Sequence, residues 1–452
     1  ARDPRRLEGR AWFWDVEVFP GDVMDPPTLA LALEGVGTAY YLIHNMTRGR
    51  GYTAVEVNGA QHFADAAERA GVEHIIYLGG LADPHAKIAA HMRSRIETGE
   101  TLRRGRVPVT EFRAGVILGP GSISFEMIRF MTELMPIVMG PSWLKNKSQP
   151  IAAQNVFDYL LAALENPNGR GGIFEIGGED VMTYESLMLE YARLRGLQRK
   201  TLKLPYIPLW FMAAGVGLVT PVSERIAYAL IDGLRSDSVV REVSARKVFA
   251  KVKLIDYQDA INSSLAQLHP SRIEPVWTDG QHTSISLKHE GFFIDYRRFY
   301  VNAAPERVFQ VITSLGHNHD WLFANWLWRL RGRIDHLLSP RKREEIKTKN
   351  FETLSPGDFV ANPNNQLDFY RVEVIEPNHL LLYSELKAPG EGWMEWRVES
   401  KENDALLTQT AYFAPRGLPG FLYWYLLYPF HTFIFRGLIR AIARKAQRNS
   451  TL

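Results

Sequence analysis

Residues 53–78 read TAVEVNGAQHFADAAERAGVEHIIYL, and this stretch decides the fold of the first half of the chain. Val55, Ala60, Phe63, Ala67 and Ala70 fall on or near one face of a helix over Thr53–Ala70, and Gly71 supplies its C-terminal stop. His74–Leu78 (HIIYL) is then apolar almost without a break, which reads as a strand. The same alternation continues outward. Val16–Phe19 and Ala39–Ile43 read as strands before it, with a helix over Pro26–Glu34 between them that carries Pro at its start and Gly35 after its end. A helix over Ala86–Arg104, a strand over Pro108–Arg113, a helix over Asn155–Glu165 and a strand over Gly172–Ile176 follow. Strands and helices in turn, with near-continuous apolar strands, predict a parallel sheet covered on both faces: an α/β, doubly wound fold. Helices near Tyr184–Arg195, Ser223–Leu234 and Tyr257–Leu268 add a smaller lobe beside it.

Leu268–Ser284 has Pro, Gly and polar residues without period and is the expected boundary, which gives a first domain over 1–268, a linker over 269–284 and a second domain over 285–452. Beyond it the order changes. A strand over Phe292–Val301 and a helix over Ala304–Leu315 lead to a Trp-rich helix over Leu322–Leu338. Strands follow around Leu367–Ile375, Leu380–Leu386, Gly392–Val398 and Leu406–Phe413, and an aromatic then basic amphipathic segment closes the chain. Grouped strands with a terminal helix predict an α+β domain.

The chain has 452 residues, 46% of them apolar and 23% charged, with a formal net charge of +3, so it has ordinary globular composition and no electrostatic call for a nucleic-acid partner. It has no cysteine, which excludes disulfides, thiolate metal sites and cysteine nucleophiles and fits a cytoplasmic protein. Two apolar stretches bear on membranes. Leu204–Val222 contains Pro205, Pro208 and Pro221 and reads as one or two short buried helices; Phe421–Phe435 is shorter than the ~20 residues of a helical span and contains Pro429. Both are read as parts of a soluble fold, Phe421–Arg448 as a buried closing helix with peripheral membrane contact as the alternative.

Several short stretches carry a resemblance: Arg2-Asp-Pro4, Gly21-Asp22-Val23, Tyr40-Tyr-Leu-Ile-His44, Val57-Asn58-Gly59, Ile76-Tyr-Leu-Gly-Gly80 and Phe112-Arg-Ala-Gly115. Together they resemble the atypical and extended short-chain dehydrogenase/reductases, an NAD(P)H-binding, epimerase-like family with a Rossmann-like sheet, over roughly residues 1–268. The family's Gly-rich phosphate turn is not found in this sequence: Gly35-Val-Gly37 precedes a strand, and Gly115…Gly119-Pro-Gly121 has the wrong spacing. The resemblance implies that the chain begins after that turn, with the first βαβ segment missing.

It also implies roles by position. Arg2 would sit by an adenosine 2′-phosphate, favouring NADP over NAD, although an ordinary exposed arginine reads equally well. Asp22 and Val23 would flank the adenine, or form a plain turn. Leu42, Ile43 and His44 end a strand at the carboxyl edge, where such folds bind ligands. Ala114 and Gly115 would let the backbone approach the nicotinamide. The family's Tyr and Lys, four apart on one helix face, are replaced by His91 and Arg95, and Gly79-Gly80 stands in place of its Ser. A histidine can act as an acid near neutral pH, but an arginine cannot shuttle protons, so a non-catalytic helix contacting the cofactor remains an equal reading.

In the second half, Val301-Asn-Ala-Ala-Pro-Glu-Arg-Val308, Trp326-Leu-Trp-Arg-Leu-Arg-Gly332, Asp368-Phe-Tyr-Arg-Val372, Leu407-Thr-Gln-Thr410 and Gly420-Phe-Leu-Tyr-Trp-Tyr425 resemble an uncharacterised bacterial domain and the helix-grip superfamily of lipid-transfer domains and polyketide cyclases. The resemblance implies a bent sheet around a long C-terminal helix with an apolar cavity between them. Arg371, Glu385, Glu395 and Gln409 interrupt apolar strands; any that face inward must pair with each other or with a ligand. His317-Asn-His319-Asp320 has residue types that could bind metal, but its spacing is not a strong ligand signature, so a solvated helix start is the favoured reading and no metal site is expected. The resulting expectation is an NAD(P)(H)-binding oxidoreductase-like protein with a small apolar ligand, its reaction left open. The alternatives are a non-catalytic protein that senses dinucleotide or carries a hydrophobic molecule, and a peripheral membrane lipid carrier.

Overall fold

The computed structural model describes residues 1–7, 10, 12–44, 52–83, 88–273, 284–315, 321–330, 370–385, 388–401 and 404–448. Contacts divide the chain into two compact units, Ala1–Trp277 and Thr278–Leu452.

The first unit contains α1 (Pro26–Leu33), β1 (Thr38–Tyr41), α2 (Tyr52–Ala70), β2 (His74–Gly80), α3 (Ala90–Arg104), β3 (Val109–Ala114), α4 (Ile123–Leu134), β4 (Ile137–Gly140), α5 (Ala153–Glu165), β5 (Ile173–Ile176), α6 (Tyr184–Leu194), β6 (Lys200–Lys203), α7 (Leu209–Val219), α8 (Glu224–Gly233), α9 (Ser244–Val248) and α10 (Tyr257–Ala266). Strands β1, β2, β3 and β5 lie side by side in that order, all parallel. Side chains alternate across a strand, and β2 shows the consequence in two adjacent residues. Ile75 joins Leu33, Ala60, Ala67 and Leu102 of α1–α3 on one face, while Ile76 joins Tyr159, Ala163 and Phe249 on the other. Phe112 of β3 anchors that second face, its ring centroid 5.6 Å from Tyr159, 5.9 Å from Phe174 and 5.3 Å from Phe249. The unit is therefore a doubly wound, Rossmann-like α/β fold, covered on both faces. Gly35 and Gly71, at φ +73° and +76°, end α1 and α2 in the left-handed conformation that glycine adopts at least cost.

Two expectations are corrected. Val16–Phe19 is not a strand, because a strand needs a ladder and this segment joins none. It is tied instead to the chain start: the N-terminal amine donates to the Phe19 carbonyl (2.7 Å), and the Gly21 N–H donates to the Ala1 carbonyl (2.9 Å). Leu204–Val222 holds a helix, α7, but only one side of it is buried. Ala213 and Val216 pack inward, while Trp210 and Phe211 are exposed.

The second unit contains β7 (Ser284–His289), β8 (Phe292–Val301), α11 (Pro305–Thr313), β9 (Tyr370–Glu376), β10 (His379–Ser384), β11 (Gly390–Lys401), β12 (Asp404–Pro415) and α12 (Gly417–Arg448). The sheet is antiparallel in the order β7-β8-β12-β11-β10-β9. One face packs on α12 and α11 through Trp396, Leu407, Val311, Ile312, Leu438 and Ile442. The aromatic and basic segments at the chain end form one helix that runs through Pro429. Its inner face is buried, but Leu422, Tyr425, Leu426 and Phe430 on the outer face are exposed, so it closes the core on one side only. No helix among the described residues is long and apolar enough to cross a membrane. Of the expected Trp-rich helix, residues 325–330 are helical and 331–338 lie outside the described residues. His317, His319 and Asp320, residues 367–369 of the expected strand, residues 86–87 of the expected helix and residues 274–283 of the expected linker also lie outside them.

Candidate functional site

A parallel sheet turns its strand carboxyl ends, and the loops that follow them, toward one edge. At that edge of the first unit lies a cavity of about 530 Å³. Leu42 and His44 reach it after β1, Leu78–Ala82 at the end of β2, and Ala114–Ile117 after β3. Helix α3 contributes His91, Met92 and Arg95. The opposite wall is apolar: Met127 and Met131 of α4, Leu187 and Met188 of α6, Met212 and Val216 of α7, and Ile231 of α8. Methionine dominates there, and its unbranched side chain adapts to irregular shapes.

Small residues bring the walls together. A Cβ on Gly80 would meet Met92 Cε at 2.6 Å and Arg95 Cδ at 3.0 Å, so glycine lets α3 approach the end of β2. A Cβ on Gly115 would meet Ser238 Oγ at 2.7 Å. The Ser238 hydroxyl donates to the Leu81 carbonyl (3.0 Å) and fastens the segment after α8 to the strand ends.

His91 sits in the first turn of α3 with its ring against Gly233 of α8; a Cβ there would fall 2.7 Å from His91 Cε1. The ring is 6% exposed and its Nδ1 is buried without a hydrogen-bond partner. Burial first, and the Arg95 charge second, push its pKa down to about 4, so the imidazole is neutral at neutral pH. Arg95 is one turn further along α3, and its backbone carbonyl accepts from the Tyr77 hydroxyl (2.9 Å). Between them in sequence, Ser94 turns toward α2 and donates to the buried Glu56 carboxylate there. Behind the site, the buried Glu111 of β3 is ion-paired to Arg103 of α3 and to Arg113 (2.7 Å), which ties helix to strand.

Thus His91, Arg95, Leu42, His44, Ala114 and Gly115 line one cavity. Ile43 is not among the lining residues and is largely exposed. Arg2, Asp22 and Val23 are not among them either. Arg2 is exposed, Val23 is buried against Gly59 of α2, and the Asp22 carboxylate accepts from the Met24 N–H (3.0 Å) in the turn before α1. Sequence reading did not find Ser238 or the methionine wall; they reach the site from separate segments spread over residues 127–238, and no local pattern marks them.

In the second unit each of these polar strand residues has a partner within the protein. Arg371 binds Glu385 (3.0 Å). Gln409 faces α12, donating to the Phe435 carbonyl and accepting from the Trp396 indole, both at 3.1 Å. Glu395 faces the opposite side of the sheet, held by His379 (2.9 Å), Arg397 (2.8 Å) and the Tyr412 hydroxyl (2.8 Å). Burial raises the Glu395 pKa, but the His379 hydrogen bond and the Arg397 charge outweigh it, and the net shift is downward. Among the described residues no group of His, Asp and Glu is arranged to hold a metal ion.

The cavity lies beyond the strand carboxyl ends, the place where open α/β sheets in general bind ligands. Residues 289–438 match a family model described as a protein of unknown function, DUF2867. No curated protein sequence matches the chain. Solved structures similar to it include a triphenylmethane reductase of Citrobacter sp., 15% identical, covering 59% of this chain and 88% of that one with a TM-score of 0.48. A nucleoside-diphosphate-sugar epimerase of Staphylococcus aureus is 15% identical, with 58% and 88% covered and a TM-score of 0.47. An NADPH-dependent quinone oxidoreductase of Escherichia coli, complexed with NADPH, is 17% identical, with 58% and 88% covered and a TM-score of 0.47.

Proposed function

We propose that the first unit is an NAD(P)(H)-binding, oxidoreductase-like domain whose cavity takes an apolar, lipid-like or quinone-like carbonyl compound. The supporting observation is the cavity itself, which opens at the strand ends and joins a polar corner, His91 and Arg95, to a methionine-rich wall. The residues present fit the nicotinamide end of such a cofactor. Gly79, Gly80, Ala114 and Gly115 form a floor with little side chain over which a flat ring can lie close to backbone. Bound there, nicotinamide supplies a hydride. The chain's own part is to orient the substrate oxygen and stabilise the charge that develops on it. Neutral His91 donates an N–H hydrogen bond, Arg95 supplies a fixed positive charge, and the apolar wall excludes water. The proton that completes the alcohol comes from solvent, because a neutral imidazole gives up its N–H proton at prohibitive cost. Arg2, Asp22 and Val23 are the proposed contacts of the adenosine end, Arg2 favouring NADP over NAD. The second unit is read as a helix-grip-type domain for an apolar ligand, on the strength of its sheet packed against a long terminal helix.

The test is a titration with NADPH and NADH followed by nucleotide fluorescence. Saturable binding that Arg95→Ala weakens supports the reading; no saturable binding of either nucleotide overturns it. The replacement of a Tyr–Lys pair by His91 and Arg95 favours a second reading, binding without turnover. Nucleotide binding with no oxidation of NADPH by any quinone or aldehyde would select it.

A further inference from the structure

Helix α7 has two apolar faces. No charged residue occurs between Leu204 and Val222. Met212 and Val216 line the cavity, yet on the other side Trp210 is 63% and Phe211 60% exposed, and Tyr206 just before the helix is 78% exposed. At 100° per residue Trp210, Phe211, Ala214 and Leu218 share that outer side. In the two-stranded sheet of β4 and β6, Leu202 and Ile137 are exposed as well, while Met139 opposite Leu202 lines the cavity. An aromatic and aliphatic surface of this extent on a folded chain marks a contact site.

The charges around it indicate what the contact is. Residues 135–147 and 196–222, which supply these strands and the helix, contain Lys145, Lys147, Arg199, Lys200 and Lys203 and no acidic residue; the acidic neighbours are Glu185, beside Lys203, and exposed Glu224, against Gly217 of α7. Lys145, Lys147, Lys200 and Lys203 are exposed, whereas Arg199 is spent on the Thr132 and Glu133 carbonyls. Lys203 lies 3.7 Å from Glu185, a loose contact that a lipid phosphate can displace. Tyr and Trp beside apolar residues, with lysines at the edge, is the pattern of a segment lying in the headgroup region of an anionic bilayer.

We propose that β6 and α7 dock the protein peripherally on an anionic phospholipid surface. Tyr206, Trp210 and Phe211 enter the boundary between headgroups and acyl chains, and Lys200 and Lys203 meet the phosphates. The inference goes beyond the dinucleotide reading and stands without it. Its consequence for the cavity is geometric: one helix, about 10 Å across, separates the lipid from the apolar wall formed by Met212 and Val216.

The experiment is cosedimentation of the full chain with vesicles of phosphatidylcholine alone and of phosphatidylcholine mixed with phosphatidylglycerol. Binding is expected to the mixed vesicles and to fall with added salt. Trp210→Ser combined with Phe211→Ser should lower the partition coefficient at least about tenfold. Lys200→Ala combined with Lys203→Ala should lower it roughly 25-fold, about fivefold per lysine, on the anionic vesicles only. Both pairs are exposed, and unchanged far-ultraviolet circular dichroism would verify that the variants fold. Absence of wild-type binding overturns the proposal, as does unaltered binding by either double variant. Binding lost only on Leu422→Ser with Leu426→Ser would also overturn it by moving the contact to α12. A change of oligomeric mass in the Trp210/Phe211 variant without vesicle binding would overturn it in favour of a protein contact.

Discussion

Replacing His91 with methionine removes a titrating group from a buried site while roughly keeping its volume, and the consequence follows from linkage. The folded-state pKa of His91 is about 4, against an ordinary value of 6.5. The unfolded chain therefore takes up the proton first as pH falls. The stability held in the neutral ring is complete above pH 6.5 and is lost as pH drops toward 4. Between pH 7 and pH 5 these two values correspond to a loss of about 2 kcal/mol. His44 and His74 are shifted the same way, and the chain has 13 histidines, so the wild-type profile alone cannot assign the effect. The assay is urea unfolding of wild type and His91→Met at pH 7 and pH 5, followed by fluorescence. The variant should lose about 2 kcal/mol less than wild type on acidification. Equal losses in the two proteins, or an imidazole resonance absent from the variant that titrates near 6.5 in wild type, would refute a buried neutral His91.

Gly99→Ala should destabilise the first unit by about 3–5 kcal/mol in urea unfolding, because the new Cβ would collide with Glu111 Oε2 and disrupt a carboxylate buried between Arg103 and Arg113. Phe112→Ala, in the aromatic cluster with Tyr159, Phe174 and Phe249, should cost about 3–5 kcal/mol by the same measurement. In the second unit, Glu395 has a lowered pKa, so the stability it adds is present above the ordinary carboxylate value and is lost as pH falls through the folded one. In the full chain, Glu395→Gln should flatten the acid limb of the second unit's unfolding and lower its melting temperature at pH 7, both read by calorimetry.

The alternation of apolar strands and amphipathic helices was legible because both faces of a parallel sheet are buried, and Ile75 and Ile76 need no knowledge of their neighbours to be core residues. Val16–Phe19 has the same kind of composition and forms no strand, because pairing is a property of the partner and not of the segment. The spacing of His91 and Arg95 placed both on one side of α3, and that side meets the cavity. The methionine wall and Ser238 come from elements joined only by tertiary packing. Helix α7 departs from its expectation for a related reason: uniform hydrophobicity predicts burial, yet Trp210 and Phe211 are exposed.

Ionisable residues inside apolar runs pose the harder case, since residue type does not say what burial will do to them. His91, Glu111 and Glu395 are all buried, at 6%, 0% and 6% exposure. Partner count separates them. His91 Nδ1 has no partner and Arg95 is its charged neighbour, so the uncharged form wins. Glu395 receives a tyrosine hydroxyl, a histidine and a guanidinium, so ionisation is favoured despite the loss of water. Glu111 is matched by two guanidinium groups across β3 and α3. The two carboxylates are thereby committed to holding their own sheets. Neutral His91, with a nitrogen left unsatisfied in an apolar pocket beside a fixed cation, is the one of the three whose hydrogen-bonding capacity is not spent on the fold, which is the condition a ligand-binding group must meet.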